Sequence, residues 1–337
     1  MNAVPFALHI CVYGAGATGG HLATKLAAAG HAVSVVARGK HLDAIRAHGG
    51  LSMHAGHHTL FGPMQASDQP GDLGQQDVVF VTLKATALPE FADGVAPLLG
   101  PQTMVVFVQN GIPWWYANGL SSRRPAPPDL SRLDPGGRLA QAIAPERVIG
   151  ATIYTSNKVV APGVIENDSC TANTLIVGEP DDTQSERITL LRTALEAADI
   201  ASPATHDIRA TLWRRLLVNI AGSAVCSIIE EPIGAAQADP AIGELYARLS
   251  TEGAAVAAAH GVNVAEGTVP PGAPHQFPPQ HKPSILQDYE RRRSMEIEAI
   301  LKTPLAFARS AGVDAPALET ITALAAHRAA RHGLYHP

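Results

Sequence analysis

Unbroken apolar runs and stretches of helical periodicity alternate through the first hundred residues. The runs HICVY (9–13), AVSVVAR (32–38), DVVFVTL (77–83) and TMVVFVQ (103–109) read as strands, the last two buried as in a parallel sheet covered on both faces. Between them, HLATKLAAAG, HLDAIRAHGG and LPEFADGVAPLLG repeat apolar positions at helical spacing, and residues 51–68 suggest a small hairpin. From Ile112 to about Pro145 the pattern is irregular, with PWWYANG followed by a Pro-, Ser-, Arg- and Gly-rich stretch expected to be a long surface loop or flap. Strand-like runs resume at RVIGATIYT, KVVAPGVIEND and TANTLIVGE, which the pattern predicts as an antiparallel extension of the first sheet. ERITLLRTALEAADI is an amphipathic helix, and everything after His206 reads as helix. The expectation is an α/β fold: residues 1–205 form a doubly wound, Rossmann-type dinucleotide-binding domain and residues 206–337 an all-helical domain.

Composition narrows the function classes. In 337 residues, 46% are hydrophobic and 16% charged, which describes a chain with a sizeable core rather than a disordered one. The formal net charge of -5 offers no basic footprint for nucleic acid. Cys11, Cys170 and Cys226 stand far apart, as buried thiols of a reducing compartment do. His54, His57 and His58 lack carboxylate or thiol partners at ligand spacing, so no metal site is expected. The first strand starts within about ten residues, leaving no room for a signal peptide. No apolar run approaches membrane-spanning length, and a cytoplasmic location is expected.

The first apolar run ends in Gly14-x-Gly16-x-x-Gly19, directly ahead of a helical stretch. Strand, glycine turn and helix in this order are the context of a dinucleotide fingerprint, with Gly14, Ala15, Gly16, Ala17, Thr18 and Gly19 around a pyrophosphate. The second strand ends in Arg38, where NAD sites usually carry an acidic residue. A guanidinium can bind a 2′-phosphate, with Lys40 adding charge, so NADP(H) is favoured. Lys84 and Asn110 close the next two strands. Gly14, Arg38, Lys84 and Asn110 are therefore expected at the carboxyl ends of a sheet, where such folds bind ligands.

A second constellation lies on the helix predicted from about Asp207 to Ile229. It is apolar nearly all round, yet Arg215, Asn219 and Ser223 form a polar stripe at i, i+4 and i+8. Buried, such groups need partners, either a ligand or a structural network. Trp114 and Trp115 either stack on a ligand or pack as a lid. Pro283 and Ser284 open a long predicted helix that continues through Glu296 to Gly312. Ser284-x-x-Gln287 is a capping-box pattern compatible with a carboxylate site, and Glu296 stands among charged neighbours.

Taken together, GAGATGG, Arg38, TLKAT around Lys84, QNG at Asn110, LWRRLLVN around Asn219 and PSILQDYERRRSMEIE resemble the ketopantoate reductase family, in its order and over nearly the whole chain. The resemblance implies a Rossmann domain, a helical substrate and dimerisation domain, and NADPH-dependent reduction of a 2-keto acid to a 2-hydroxy acid in the cleft between them. It puts Lys84 and Asn110 beside nicotinamide and substrate, Asn219 and Ser284 on the substrate, and Glu296 near the nicotinamide ribose and the substrate hydroxyl. The implied partner is a small-molecule 2-keto acid, with no nucleic acid or membrane, and a homodimer is allowed.

The chain departs from the pattern where the family carries a lysine in W-x-K-L-x-x-N, its proton donor or carbonyl polariser. Here Trp213 to Asn219 reads WRRLLVN, with Arg215 in the lysine's place and Ser223 where a second Asn is common. A guanidinium is a poor proton donor but can polarise a carbonyl or clamp a carboxylate. Either the proton comes from another source or the substrate differs from 2-dehydropantoate. The loops 121–137 and 268–283 look like additions that reshape the cleft. Two other readings stay open: a cofactor-binding regulatory protein without turnover, and a 3-hydroxyacid dehydrogenase, which the Ser284 to Glu296 segment does not support.

Overall fold

The computed structural model describes residues 6–168, 173–265 and 279–336. Cys170 and most of the 268–283 loop lie outside them. Two compact units result, one of residues 6–109, 137–168 and 173–208, the other of residues 110–136, 209–265 and 279–336. The strands, in chain order, are β1 (His9–Tyr13), β2 (Ala32–Val36), β3 (Gly50–Ala55), β4 (His58–Pro63), β5 (Gln65–Ser67), β6 (Gln76–Val81), β7 (Leu99–Phe107), β8 (Val148–Tyr154), β9 (Asn157–Ala161), β10 (Val164–Asn167) and β11 (Thr174–Gly178). All belong to the first unit, and its helices are α1 (Ala17–Ala28), α2 (Gly39–His48), α3 (Leu88–Gly94), α4 (Arg138–Ala142) and α5 (Glu186–Ala197).

The main sheet has the order β11-β8-β7-β6-β1-β2-β5 and is parallel except for β11, which runs antiparallel to β8. This is the Rossmann-type arrangement expected, but only β11 fits the antiparallel extension. The strand β8 adds in parallel, while β9 and β10 leave the sheet and join the hairpin β3–β4 in a second sheet of order β4-β3-β10-β9. That sheet packs on α1 through residues without bulk: a Cβ on Gly62 would lie 2.7 Å from the Cα of Thr24, and one on Gly20 would lie 2.6 Å from Ile165 Cδ1. The core between sheet and helices gathers Ile10, Val12, Leu22, Leu26, Val78, Phe80 and Val106, all fully buried.

In the second unit the helices are α6 (Ile208–Val218), α7 (Ala224–Ile229), α8 (Ile233–Ala238), α9 (Pro240–Ala259), α10 (Ser284–Glu290), α11 (Thr303–Ser310) and α12 (Pro316–Arg331), with π turns at Asn219–Ser223 and Glu298–Lys302. Phe307 is central to its core, edge-on to Tyr116, Trp213 and His260 at 5.1, 5.6 and 4.7 Å between centroids. Residues 110–136, expected in the first domain, belong here for a physical reason. Arg209 is fully buried in the first turns of α6, and its guanidinium donates to the carbonyls of Tyr116 (2.7 Å) and Asn118 (2.6 Å). The Trp213 indole N–H adds a bond to the Tyr116 hydroxyl at 2.9 Å. An arginine buried in this way holds the segment strongly, because removing its acceptors would leave a charge unpaired.

Two further expectations change. Residues 208–229 form one continuous helical stretch that is long and apolar enough to cross a membrane by length and composition. Its large apolar side chains Trp213, Leu216 and Ile220 are fully buried against the other helices of the unit, which marks a core helix. The helix predicted from Ser284 to Gly312 is broken: α10 ends at Glu290, Arg292 takes a left-handed φ of 52°, and helical structure resumes only near Ile297. Glu296 therefore lies in a non-helical connection.

Candidate functional site

In the first unit the order of strands reverses at β1, which has β2 on one side and β6 on the other. Gly14, Arg38 and Lys84 follow the carboxyl ends of these three neighbouring strands, at the switch point where open α/β sheets take ligands. Gly14 turns the chain with a φ of 104°, a value that disfavours any side chain. Its carbonyl accepts from the Thr82 hydroxyl at 2.6 Å, so the loop after β6 holds the turn. A Cβ on Gly19 would stand 2.0 Å from that same carbonyl oxygen and 2.4 Å from Thr82 Oγ1, which explains the glycine by close packing. Gly16 is different: it is exposed, and a Cβ there meets nothing within 4 Å.

The open space at Gly16 adjoins the start of α1, a twelve-residue helix with no side-chain cap and no acidic residue in its first turn. Helix amides without intrahelical partners favour an anion at such a place. A turn closed at Gly14 and Gly19 and open at Gly16 fits the pyrophosphate of a dinucleotide. Ala15 is buried, whereas Ala17 and Thr18 are half-buried in the first turn.

Arg38 is exposed at the entrance to α2 and meets an anion of this chain, the carboxylate of Glu90. The contact is two-pronged, Nη1 to Oε2 at 2.9 Å and Nη2 to Oε1 at 2.5 Å. This pair lowers the Glu90 carboxyl below its usual range and raises the Arg38 guanidinium. Lys84 is half-buried and precedes a single 3-10 turn at Ala85–Ala87.

The second unit gathers the other candidates around its two π turns. The turn at Asn219–Ser223 packs against α9, α10 and the turn at Glu298–Lys302. Asn110 opens this unit, and Gly111 after it seats on the second π turn: Ile112 N–H donates to the Ala299 carbonyl at 2.9 Å, and a Cβ on Gly111 would lie 2.6 Å from that backbone. The segments bearing Asn110, Asn219, Ser223, Ser284 and Glu296 are thus neighbours. A π turn inserts an extra residue into the helical repeat and displaces the local backbone bonds, a device frequent at functional sites.

Asn219 starts the first π turn and is 3% exposed. Its Oδ1 accepts a long bond from the Ser223 hydroxyl, 3.5 Å, while its buried Nδ2 has no hydrogen-bond partner among the described residues. Buried polar groups are nearly always satisfied, so this N–H stands available to an acceptor from beyond the described residues. Arg215, one turn earlier, is half-buried. Ser284 is exposed and does not cap its helix: α10 carries no side-chain cap, and Gln287 Nε2 donates to the Lys282 carbonyl at 2.8 Å. Glu296 is half-buried, and its neighbour Glu298 is held by Arg132 at 3.2 Å and by the Tyr335 hydroxyl at 2.5 Å. Burial, then the Glu298 bond, push the Tyr335 hydroxyl up to about 12. Trp115 is fully buried, which favours packing over ligand stacking for that ring.

Thr82, Glu90, Gly111 and Arg209 escape a reading of the sequence. Only Gly111 leaves a local trace, as the second residue of an Asn-Gly turn. The others act through partners more than fifty residues away.

Comparison with known proteins places the chain among reductases. The family model "Ketopantoate reductase PanE/ApbA" matches residues 10–114, and "Ketopantoate reductase PanE/ApbA C terminal" matches residues 207–329. A 2-dehydropantoate 2-reductase of Mesorhizobium japonicum is 36% identical over 97% of this chain and 100% of its own length. A solved ketopantoate reductase-like chain from Ralstonia solanacearum MolK2 is 31% identical, covers 98% of this chain and 100% of that one, and has a TM-score of 0.83. A D-mandelate dehydrogenase solved with NADH and anilino(oxo)acetate shares the fold at 17% identity and a TM-score of 0.78, over 97% of this chain and 99% of that one.

Proposed function

We propose that this chain, which belongs to the ketopantoate reductase family, catalyses the NADPH-dependent reduction of a 2-keto acid, 2-dehydropantoate or a close relative, to the 2-hydroxy acid. The observation that carries the proposal is the buried Asn219 side chain on a π turn, within a family motif, whose Nδ2 has no hydrogen-bond partner among the described residues. In this reading the amide donates to an oxygen of the substrate, and Ser223 steadies its orientation. Ser284 and Asn110 bind the rest of the acid.

The turn from Gly14 to Gly19 would hold the pyrophosphate, with Arg38 on the 2′-phosphate and Lys84, Asn110 and Glu296 toward the nicotinamide end. When bound, NADPH supplies the hydride. Arg215 stabilises the negative charge that develops on the carbonyl oxygen, because a guanidinium offers fixed donors even where it gives up no proton. The proton that completes the alcohol comes from Glu296 or from solvent. Arg38 favours NADPH over the NADH with which the D-mandelate dehydrogenase was solved.

The test is Asn219→Ala. One lost hydrogen bond to an anionic or polarised acceptor is worth roughly 1.5–3 kcal/mol, so KM for the keto acid should rise about ten- to hundredfold. The dissociation constant for NADPH should stay unchanged. A variant with unaltered KM and kcat but an earlier thermal transition would make Asn219 purely structural.

A further inference from the structure

We infer that Glu90 sets the preference between NADPH and NADH, by competing with the cofactor's 2′-phosphate for Arg38. The inference rests on the proposed assignment of Arg38 to that phosphate. Both nitrogens that a phosphate would engage already face the two oxygens of Glu90, at 2.9 and 2.5 Å. Glu90 cannot leave by a shift of its helix, since the next residue, Phe91, is fully buried and wedged edge-on between Tyr13 (4.9 Å) and Phe107 (6.0 Å). The glycine that ends α3 is equally tight, a Cβ on Gly94 falling 2.9 Å from the Tyr13 hydroxyl. The other carboxylate of α3, Asp93, is turned to Arg138. Glu90 is thus fixed at its Cα and aimed at Arg38, and a 2′-phosphate can claim both nitrogens of the guanidinium only if one of the two side chains rotates away from the other.

Such a rotation is cheap, because both members are more than half exposed, 59% and 58%, and exposed pairs hold weakly. Even so, the carboxylate stays within reach of a dianion and repels it. For NADH the same carboxylate is no obstacle, since an acidic group beside a ribose 2′-hydroxyl accepts its hydrogen bond. The arrangement moderates the preference for NADPH that Arg38 alone would create.

The experiment is calorimetric titration of NADPH, NADH, 2′,5′-ADP and 5′-AMP into wild type, Glu90→Gln and Arg38→Ala. Glu90→Gln should bind NADPH and 2′,5′-ADP roughly two- to fivefold more tightly, and NADH and 5′-AMP no more tightly than wild type. Arg38→Ala should lose affinity for the two 2′-phosphorylated ligands, NADPH and 2′,5′-ADP, alone. If Arg38→Ala behaves so and Glu90→Gln leaves NADPH unchanged or weakened, Glu90 is no competitor and the inference falls while the Arg38 assignment stands. If Arg38→Ala weakens all four ligands equally or none, the assignment of the 2′-phosphate falls as well.

Discussion

Gly16→Ala and Gly19→Ala together separate the ligand role of the glycine turn from its packing role. At Gly16 the backbone takes a φ of -68°, which alanine adopts freely, and the new methyl meets no atom within 4 Å. Alanine is a poorer N-cap than glycine by roughly 0.5–1 kcal/mol. It recovers about 0.4–1 kcal/mol by restricting the unfolded chain. Net stability should therefore change by less than about 0.5 kcal/mol. The methyl nevertheless fills the space assigned to the pyrophosphate, and NADPH affinity should fall at least about tenfold, or ~1.4 kcal/mol. At Gly19 the helix gains about 1 kcal/mol from alanine, but a methyl 2.0 Å from the Gly14 carbonyl must push α1 off β1 by more than an ångström. That overpacking costs typically 1–3 kcal/mol, and the Thr82 bond to Gly14 takes roughly 1 kcal/mol with it. Gly19→Ala should lose about 1–3 kcal/mol of stability together with cofactor affinity. Urea unfolding and titration of NADPH read both quantities. A Gly16→Ala protein that binds NADPH as wild type does would refute the cradle.

Arg215→Lys reports its meaning by sign: turnover of 2-dehydropantoate should rise if the position still serves that ketone, up to the roughly 10²–10⁴-fold of general acid catalysis. A loss of about 1.5–3 kcal/mol in binding the native substrate would instead mark a guanidinium clamp on a second anion, and steady-state kinetics over several keto acids distinguishes the two. His21, fully buried on α1 with neither ring nitrogen partnered among the described residues, is pushed down to about 3, first by burial and then by Lys25. The unfolded chain takes up a proton below about pH 6.5 that the folded one refuses, so stability is present above that pH and drains as pH falls. His21 should contribute about 2 kcal/mol of the loss between pH 7 and 5, and urea unfolding of His21→Leu should show a correspondingly flatter profile.

What the sequence disclosed follows from the range over which each signal acts. The strand, turn and helix from His9 to Ala28 are legible because apolar period and glycine spacing are local, and the buried runs ending in Val81 and Phe107 likewise identify their own strands. Partnership is not local: nothing in KVVAPGVIEND says that β9 and β10 join β3 rather than β8. The polar stripe Arg215, Asn219, Ser223 was visible at i, i+4 and i+8, but the extra residue that makes Asn219–Ser223 a π turn leaves no mark in composition. The break after Glu290 is hidden for the same reason, since Arg-Arg-Arg is a good helical run and only the left-handed Arg292 stops it. The pairing of Arg38 with Glu90 joins residues 52 positions apart, beyond any periodicity.

The most direct measurement is steady-state oxidation of NADPH, followed by absorbance, with 2-dehydropantoate and a panel of other 2-keto acids, and with identification of the product. Turnover of at least one keto acid is expected, with one 2-hydroxy acid formed for each NADPH consumed and NADPH preferred to NADH. Cofactor that binds normally but is not oxidised with any member of the panel would contradict a reductase and leave a binding protein in its place.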